Sequence, residues 1–207
     1  MRRIRSSFAI VLPVLAFAPL AALAHVGADA AAHAHVGFAQ GLAHPFTGLD
    51  HLAAMVVVGL WSASAARGGR DALWAPLGFA SMLLAGALAG LAGLRVPAVE
   101  PMIAASLLVI GLLAATRLRL PGQVAAGLVG LFAAFHGAAH GIELAGDGNG
   151  GGGGAVPALV GMVMATALLH AAGVGLGWTL RHRAAWLPRA IGAVVALAGV
   201  VLLGQLA

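Results

Sequence analysis

Long apolar runs separated by short polar stretches dominate the chain, and this pattern predicts membrane-spanning helices. A helix rises about 1.5 Å per residue, so about 20 apolar residues cross a hydrocarbon core about 30 Å thick. We therefore predict an all-α fold: a polytopic membrane helix bundle with six transmembrane helices after a cleavable signal peptide. The approximate limits of the six segments are 36–63, 73–94, 98–116, 122–145, 156–180 and 186–206.

The first two dozen residues are typical of a secretory signal. Arginines crowd the start of the chain, an apolar run begins at Phe8, and Ala-Leu-Ala at 22–24 fits a cleavage site. We predict a signal peptide at residues 1–24 and a six-helix transmembrane domain at 25–207, with an uncleaved anchor as the alternative. Cleavage would free the amine of His25, which together with its imidazole forms a metal chelate; a non-binding terminus is an equal alternative.

The basic residues indicate how the chain is oriented in the membrane. All eleven are arginines, and they lie at the start of the chain and between the apolar runs, which favours a topogenic role over nucleic-acid binding. By the positive-inside rule the first, third and fifth loops are cytoplasmic, so we predict a bacterial inner-membrane protein whose mature termini are both periplasmic. The loop arginines are Arg67 and Arg70 in the first loop, Arg95 in the second, Arg117 and Arg119 in the third, and Arg181, Arg183 and Arg189 in the fifth.

The composition excludes several classes of protein. Hydrophobic residues make up 61% of the chain and charged residues only 8%, which excludes a soluble domain. The chain has no cysteine, so any metal must be held by nitrogen and oxygen atoms. The glycine-rich stretch at 146–154 lacks the Lys and Ser/Thr of a phosphate-binding loop, and we interpret it as a flexible periplasmic connector. Neither a nucleotide nor a nucleic acid is expected as a partner.

Two pairs of glycines have the GxxxG spacing that lets helix backbones approach closely, Gly86 with Gly90 and Gly137 with Gly141. Such matches arise easily in a chain rich in small residues. We interpret only the second pair, which flanks histidines, as a packing motif.

Histidine and carboxylate side chains in the fourth segment predict a metal site. His136, His140 and Glu143 stand at positions i, i+4 and i+7, and therefore project from one face of a helix. Histidines at i and i+4 have the spacing of helical zinc sites, but the zinc-protease signature needs a glutamate where this chain has Gly137. Hydrogen bonds to a neighbouring helix are the alternative role for these side chains.

A second group lies in the first segment. His44 and His51 are seven residues apart on one helical face, and Asp50 precedes His51. Pro45 suits the first turn of a helix, so the segment is expected to break there, as helices that line transporter cavities do. Asp50 has three candidate roles: orienting an imidazole, binding metal or carrying protons. A structural ion pair or helix cap is the alternative.

Imidazole and carboxylate groups together indicate a divalent transition metal as the ligand. Ionisable side chains are costly to insert into a membrane, so their presence in these segments indicates a functional role. Among the other histidines, His170 is a ligand or an interhelical hydrogen-bond donor, and His33 and His35 are external capture groups or a solvated tail. His182 is predicted to be a solvated loop residue. The four tryptophans fit an aromatic belt near the cytoplasmic ends of the helices: Trp61, Trp74, Trp178 and Trp186.

Depth along straight helices predicts a ladder of metal sites. Counted from the periplasmic ends, His140 lies at roughly 8 Å, His44 and His136 at about 12–14 Å, and His51 and His170 at about 21–23 Å. In this ladder the metal is captured at Glu143 and His140 and handed over at His44 and His136. It then reaches a deeper site at His51 and Asp50, with His170 as a further candidate ligand.

The motifs H-x5-D-H and F-H-G-x-A-H-G-x-E resemble those of the HupE/UreJ family of hydrogenase and urease accessory permeases. The resemblance covers the whole layout, and it implies a non-enzymatic inner-membrane permease that takes up nickel, with cobalt as a variation, to supply hydrogenase or urease maturation. It also implies no permanently bound cofactor, since the metal is cargo. The residues that match the motifs are His44, Asp50 and His51, then Phe135, His136, His140 and Glu143.

Two other classes use the same residues. A membrane-embedded zinc metallohydrolase would hold a fixed metal and an activated water, and a metal-binding accessory or sensor would bind without translocating. With no nucleotide motif, transport is expected to be passive or coupled to an ion gradient. The lipid bilayer, the metal ion and further copies of the chain in a homo-oligomer are the partners that we expect.

The ligand type predicts how uptake depends on pH. Imidazole binds metal only in its neutral form, and the unperturbed pKa of histidine is about 6.5. We therefore expect uptake to fall as the external pH drops below about 6. Uptake by cells at about pH 5 and about pH 7.5, at matched free metal, measures this, and equal rates would contradict it.

Overall fold

The computed structural model describes residues 37–146 and 154–206, and within them every regular element is helical. A single 3₁₀ turn, Asp71–Leu73, precedes the third α-helix. The α-helices are α1 (Phe38–Thr47), α2 (Leu49–Ala65), α3 (Trp74–Leu91), α4 (Val99–Thr116), α5 (Gly122–Gly146), α6 (Ala155–Arg183) and α7 (Leu187–Gln205). The all-α prediction is confirmed over this part of the chain.

Five of these helices, α3 to α7, are long and apolar enough to cross a membrane, so the chain is a multi-pass membrane protein. Their ends lie within a few residues of the predicted segments. The first predicted segment is instead two helices, α1 and α2, bent by 84° at Gly48. The pair forms a broken span or a re-entrant loop, and the signal peptide predicted at residues 1–24 lies outside the described residues.

The helices that end next to arginines meet at one end of the bundle, which we call the arginine end. Arg117, after α4, donates a hydrogen bond from Nη2 to the carbonyl of Ser64 in α2 at 2.7 Å. A Cβ placed on Gly69 would lie 4.0 Å from the ring of Trp178 near the end of α6. The first, third and fifth loops therefore share one end, as alternating helices require.

Trp61 departs from the predicted aromatic belt. Its side chain is only 2% exposed, and Nε1 donates to the carbonyl of Leu118 at 2.9 Å. The prediction was wrong for this residue because hydropathy places a tryptophan near a helix end but does not distinguish the lipid face from the core. Trp74, Trp178 and Trp186 are exposed.

Small residues bring α3 and α5 into backbone contact. A Cβ on Gly86 or Gly90 of α3 would collide with backbone atoms of α5, and one on Gly137 or Gly141 would collide with α3. The first glycine pair is therefore part of the packing surface, and the interpretation of the second pair as the one packing motif was wrong. The first pair was missed because a GxxxG spacing carries no information about which face meets a neighbour.

Close packing also holds α1 in place. A Cβ on Gly41 would collide with the backbone of Ala158 in α6, and one on Gly161 would collide with Phe38 in α1. The centre of the bundle is α2, which is buried along most of its length from Ala54 to Ala65. The short helix α1 is thus pinned to α6 while α2 runs through the core.

The α3–α5 contact predicts the effect of one added methyl group. We expect Gly86→Ala to lower the free energy of unfolding by about 1–3 kcal/mol, because the methyl would overlap the backbone of α5. The measurement is the midpoint of thermal unfolding in detergent, which should fall by several degrees. Gly127→Ala is the matched control, since nothing lies within 4 Å of its Cβ. Equal midpoints for the two variants would contradict the packing argument.

Candidate metal centre

Four histidines from the two motifs lie together between the α1–α2 pair and α5, and we call them the imidazole cluster: His44, His51, His136 and His140. The ring centroids of His44 and His140 are 4.6 Å apart, as are those of His51 and His140. The centroids of His51 and His136 are 4.9 Å apart. The structure therefore brings the two motifs into one place, although they are far apart in the sequence.

The bend at Gly48 puts both histidines of the first motif in this cluster. The rings of His44 and His51 are 6.2 Å apart, whereas seven residues of straight helix would separate them by about 10.5 Å. A Cβ on Gly48 would lie only 2.9 Å from Asp50 Oδ1 and 3.2 Å from His51 Nδ1. A side chain at this position would therefore displace the side chain of Asp50 or His51.

Pro45 is not at the start of a helix, as the sequence analysis expected. It lies in the last turn of α1, where Thr47 Oγ1 donates to the carbonyl of His44 at 2.7 Å. Proline has no N–H to donate to the carbonyl of Gly41 four residues earlier, so it weakens the end of α1. The helix breaks at Gly48 instead, where the backbone is extended, with φ −93° and ψ 116°.

Asp50 orients His51. Its Oδ1 lies 3.1 Å from His51 Nδ1, and a carboxylate accepts, so Nδ1–H donates. The lone pair of the neutral ring is then on Nε2, which is buried and has no hydrogen-bond partner in the described part of the chain. Of the roles open to Asp50, this geometry fits the orientation of an imidazole, an arrangement typical of metal-binding histidines.

Ser106 of α4 orients His136 in the same way. Ser106 Oγ lies 2.6 Å from the carbonyl of Ile103, which can only accept its proton. The hydroxyl therefore accepts from His136 Nε2 at 2.9 Å, and this leaves the lone pair of a neutral ring on Nδ1. That nitrogen is buried and unpartnered within residues 37–146 and 154–206. Sequence reasoning missed Ser106, although a serine inside an apolar run is a signal for polar contact between membrane helices.

The outer part of the cluster is open to a cavity. Nitrogen atoms of His44 and His140 and an oxygen of Glu143 lie within 4.8 Å of one another. They line a cavity of about 40 Å³, which exceeds the volume that one water needs. Glu143 is 50% exposed and His140 only 5%, so the ligands run from the surface into the protein. The other lining residues are Gln40, Gly41, Leu144, Ala158 and Met162.

His170 on α6 lies apart from the cluster, with the buried ring of Phe79 beside both. The Phe79 centroid is 5.0 Å from that of His170 and 5.9 Å from that of His136. His170 Nδ1 donates to the carbonyl of Thr166 at 2.7 Å, a bond within α6 rather than between helices. Its Nε2 is buried and has no partner among the residues described. Nothing in the sequence singled out Phe79.

The predicted ladder of depths was wrong. It separated His51 from His140 by about 13–15 Å, whereas their rings are in contact at 4.6 Å. The predicted depths depend on the first segment being one straight helix, which it is not. The bend starts α2 beside the last turns of α5, so the first motif forms one compact group with the second rather than a series of tiers.

The remaining histidines lie elsewhere. His25, His33 and His35 are outside the described residues. His182 is exposed, as predicted, but it lies in the last turn of α6 rather than in a loop. Its Nε2 accepts a hydrogen bond from Arg181 Nε at 2.8 Å.

Comparison with known proteins relates this site to a family. The family model described as HupE / UreJ protein matches residues 12–202. Protein HupE of Rhizobium leguminosarum bv. viciae is 41% identical over 189 residues, which cover 87% of this chain and 94% of that protein. No solved structure matches the chain. The chain therefore belongs to the HupE/UreJ family, and it is not an enzyme.

Proposed function

We propose that the protein is an inner-membrane transporter for a divalent transition metal, with Ni²⁺ as its cargo and Co²⁺ as the nearest alternative. In this role it supplies hydrogenase or urease maturation. The observation that carries the proposal is the imidazole cluster, in which three buried ring nitrogens have no hydrogen-bond partner within the described ranges: His51 Nε2, His136 Nδ1 and His140 Nε2.

A metal ion would supply the bonding partner that these nitrogens lack. A buried acceptor without a partner costs about 1–3 kcal/mol, and here several acceptors lie side by side. A divalent cation satisfies more than one lone pair at once, and imidazole with carboxylate suits nickel and its neighbours in the transition series. Asp50 and Ser106 support this reading, because each holds a ring so that its lone pair stays free.

The ligands also fit a path rather than a closed cage. Glu143 is half exposed and lines the outer cavity with His44 and His140, whereas His51 and His136 lie further inside. A conducting site must release what it binds, so exchange of ligands within one compact cluster suits transport. We place capture at Glu143, His44 and His140, and transfer at His51 and His136. Metal binding by Asp50, and by His170 beyond Phe79, stays a prediction.

The topology that we propose counts the α1–α2 pair as the first of six spans, after a signal peptide cleaved behind Ala24. The arginine end then faces the cytoplasm by the positive-inside rule, and both mature termini are periplasmic. The outer cavity lies between α1, the second half of α5 and the start of α6, at the opposite end of the bundle. It therefore opens toward the periplasm, as uptake into the cell requires.

Uptake of radiolabelled nickel tests the proposal. We expect His44→Ala, His136→Ala and Glu143→Ala each to reduce initial uptake by about tenfold or more, because each removes a ligand. His182→Ala is the matched control, since this histidine is exposed in the last turn of α6 and bound to Arg181. Membrane levels of every variant are measured alongside, and cobalt and zinc serve as competitors. Wild-type uptake by all three site variants would refute the residue assignment.

Purified protein in liposomes separates transport from its alternatives. Transport predicts flux of nickel into the liposomes. Zinc that resists chelation, with no flux, would favour a fixed metal site, and reversible binding with no flux would favour an accessory or sensor.

Ser106→Ala tests the orientation of His136. Losing the hydroxyl frees the ring to turn and to exchange its tautomer, so we expect the affinity for Ni²⁺ to fall by about 10–100-fold. Ser64→Ala is the control, because Ser64 makes the same bond to the carbonyl three residues before it but lies at the arginine end. Isothermal titration of purified protein gives both affinities. An unchanged affinity for Ser106→Ala would remove this serine from the site.

A further inference from the structure

A second cavity, of about 460 Å³, lies at the arginine end of the bundle, far from the imidazole cluster. It is formed by the end of α2, the loop that follows it, the loop between α4 and α5, and the start of α5. Along α5, Gly122 at this cavity is separated from His140 by about 27 Å. We call it the arginine cavity, after Arg67 and Arg119, which both line it.

Hydrogen bonds hold the walls of the arginine cavity. Trp61 forms part of the wall and donates to the carbonyl of Leu118. Ser62 Oγ donates to the carbonyl of Ala72 at 2.8 Å, which ties the loop after α2 back to that helix. These bonds join three chain segments around the cavity, so its shape is present without a ligand. Its volume is in the range of small-molecule sites.

The charges that line the cavity favour an anion. Arg67 and Arg119 contribute two guanidinium groups, and Asp71 contributes the one carboxylate among the lining residues. Neither arginine makes a side-chain hydrogen bond or salt bridge to a protein group within the described ranges. Two free guanidinium groups repel a divalent cation, so the cavity does not suit the metal cargo. They suit phosphate oxygens, which guanidinium binds through paired hydrogen bonds.

We infer that the arginine cavity binds a phosphate-bearing anion, through Arg67 and Arg119. The cavity lies where spanning helices end, at the level of lipid headgroups, and basic pockets between helices at this level bind anionic headgroups. Free phosphate offers the same oxygens. The inference does not depend on metal transport, because none of the proposed metal ligands lines this cavity.

Native mass spectrometry of the full-length protein tests the inference, with phosphatidylglycerol and phosphatidylcholine as the two lipids. We expect the wild type to retain phosphatidylglycerol. The double variant Arg67→Gln/Arg119→Gln should retain at least about tenfold less of it than the wild type. Arg183→Gln/Arg189→Gln is the matched control, since it removes two exposed arginines near the same end that do not line the cavity.

A titration with inorganic phosphate in lipid-free detergent distinguishes a lipid headgroup from a free anion. The readout is the midpoint of thermal unfolding. Stabilisation by phosphate that disappears only in the cavity variant identifies a free anion, and retention of phosphatidylglycerol alone identifies a headgroup. Either result supports the inference. Equal behaviour of the two double variants, or binding of neither ligand by the wild type, overturns it.

Phenylglyoxal modification of the wild type keeps the test independent of whether the variants fold. The reagent attacks guanidinium groups, and peptide mass spectrometry reports each arginine. We expect phosphatidylglycerol or phosphate to slow the modification of Arg67 and Arg119 at least about fivefold and to leave Arg183 and Arg189 unchanged. If the ligand slowed modification equally at all four arginines, or at none of them, the inference would be overturned.

Discussion

The bend between α1 and α2 at Gly48 is the constraint on which the site depends. An apolar segment continued as one helix would carry His44 and His51 past α5 at different depths. Turned by 84°, the chain instead presents both rings to the same two turns of α5. The missing side chain of Gly48 leaves room for Asp50 and His51 to fold back over the break. The bend therefore brings into the imidazole cluster two histidines that a straight helix would keep apart.

Small residues make this arrangement possible in an otherwise apolar bundle. Glycines hold α3 against α5 and α1 against α6 at backbone contact, so α1 and α5, which carry histidines of the cluster, are each fixed to a neighbouring helix. In lipid no hydrophobic force drives helices together, and close packing of this kind takes its place. The same closeness excludes lipid and bulk water from His136, which is fully buried. The structural glycines thus help to create the dry environment of the unpartnered imidazoles.

The two ends of the bundle have opposite chemistry. One end has Glu143, Asp50 and ring nitrogens with free lone pairs, which suit cations. The arginine end has guanidinium groups around a larger cavity, which suit anions. The two ends therefore suit ligands of opposite charge. Phe79 lies beside both His136 of the cluster and His170, the remaining buried imidazole of the described residues.

The sequence by itself determined the approximate limits of the five helices α3 to α7, the two motifs and the membership of the HupE/UreJ family. Hydropathy and motif spacing are local properties, so they are readable without a fold. Only the tertiary structure decided that the break falls at Gly48 rather than Pro45, that the histidines form one cluster rather than a ladder, and that Trp61 is in the core. It also brought in Ser106 from α4, a residue 30 positions from its partner. These features depend on which helix faces meet, and that is set by backbone contacts between segments distant in the chain.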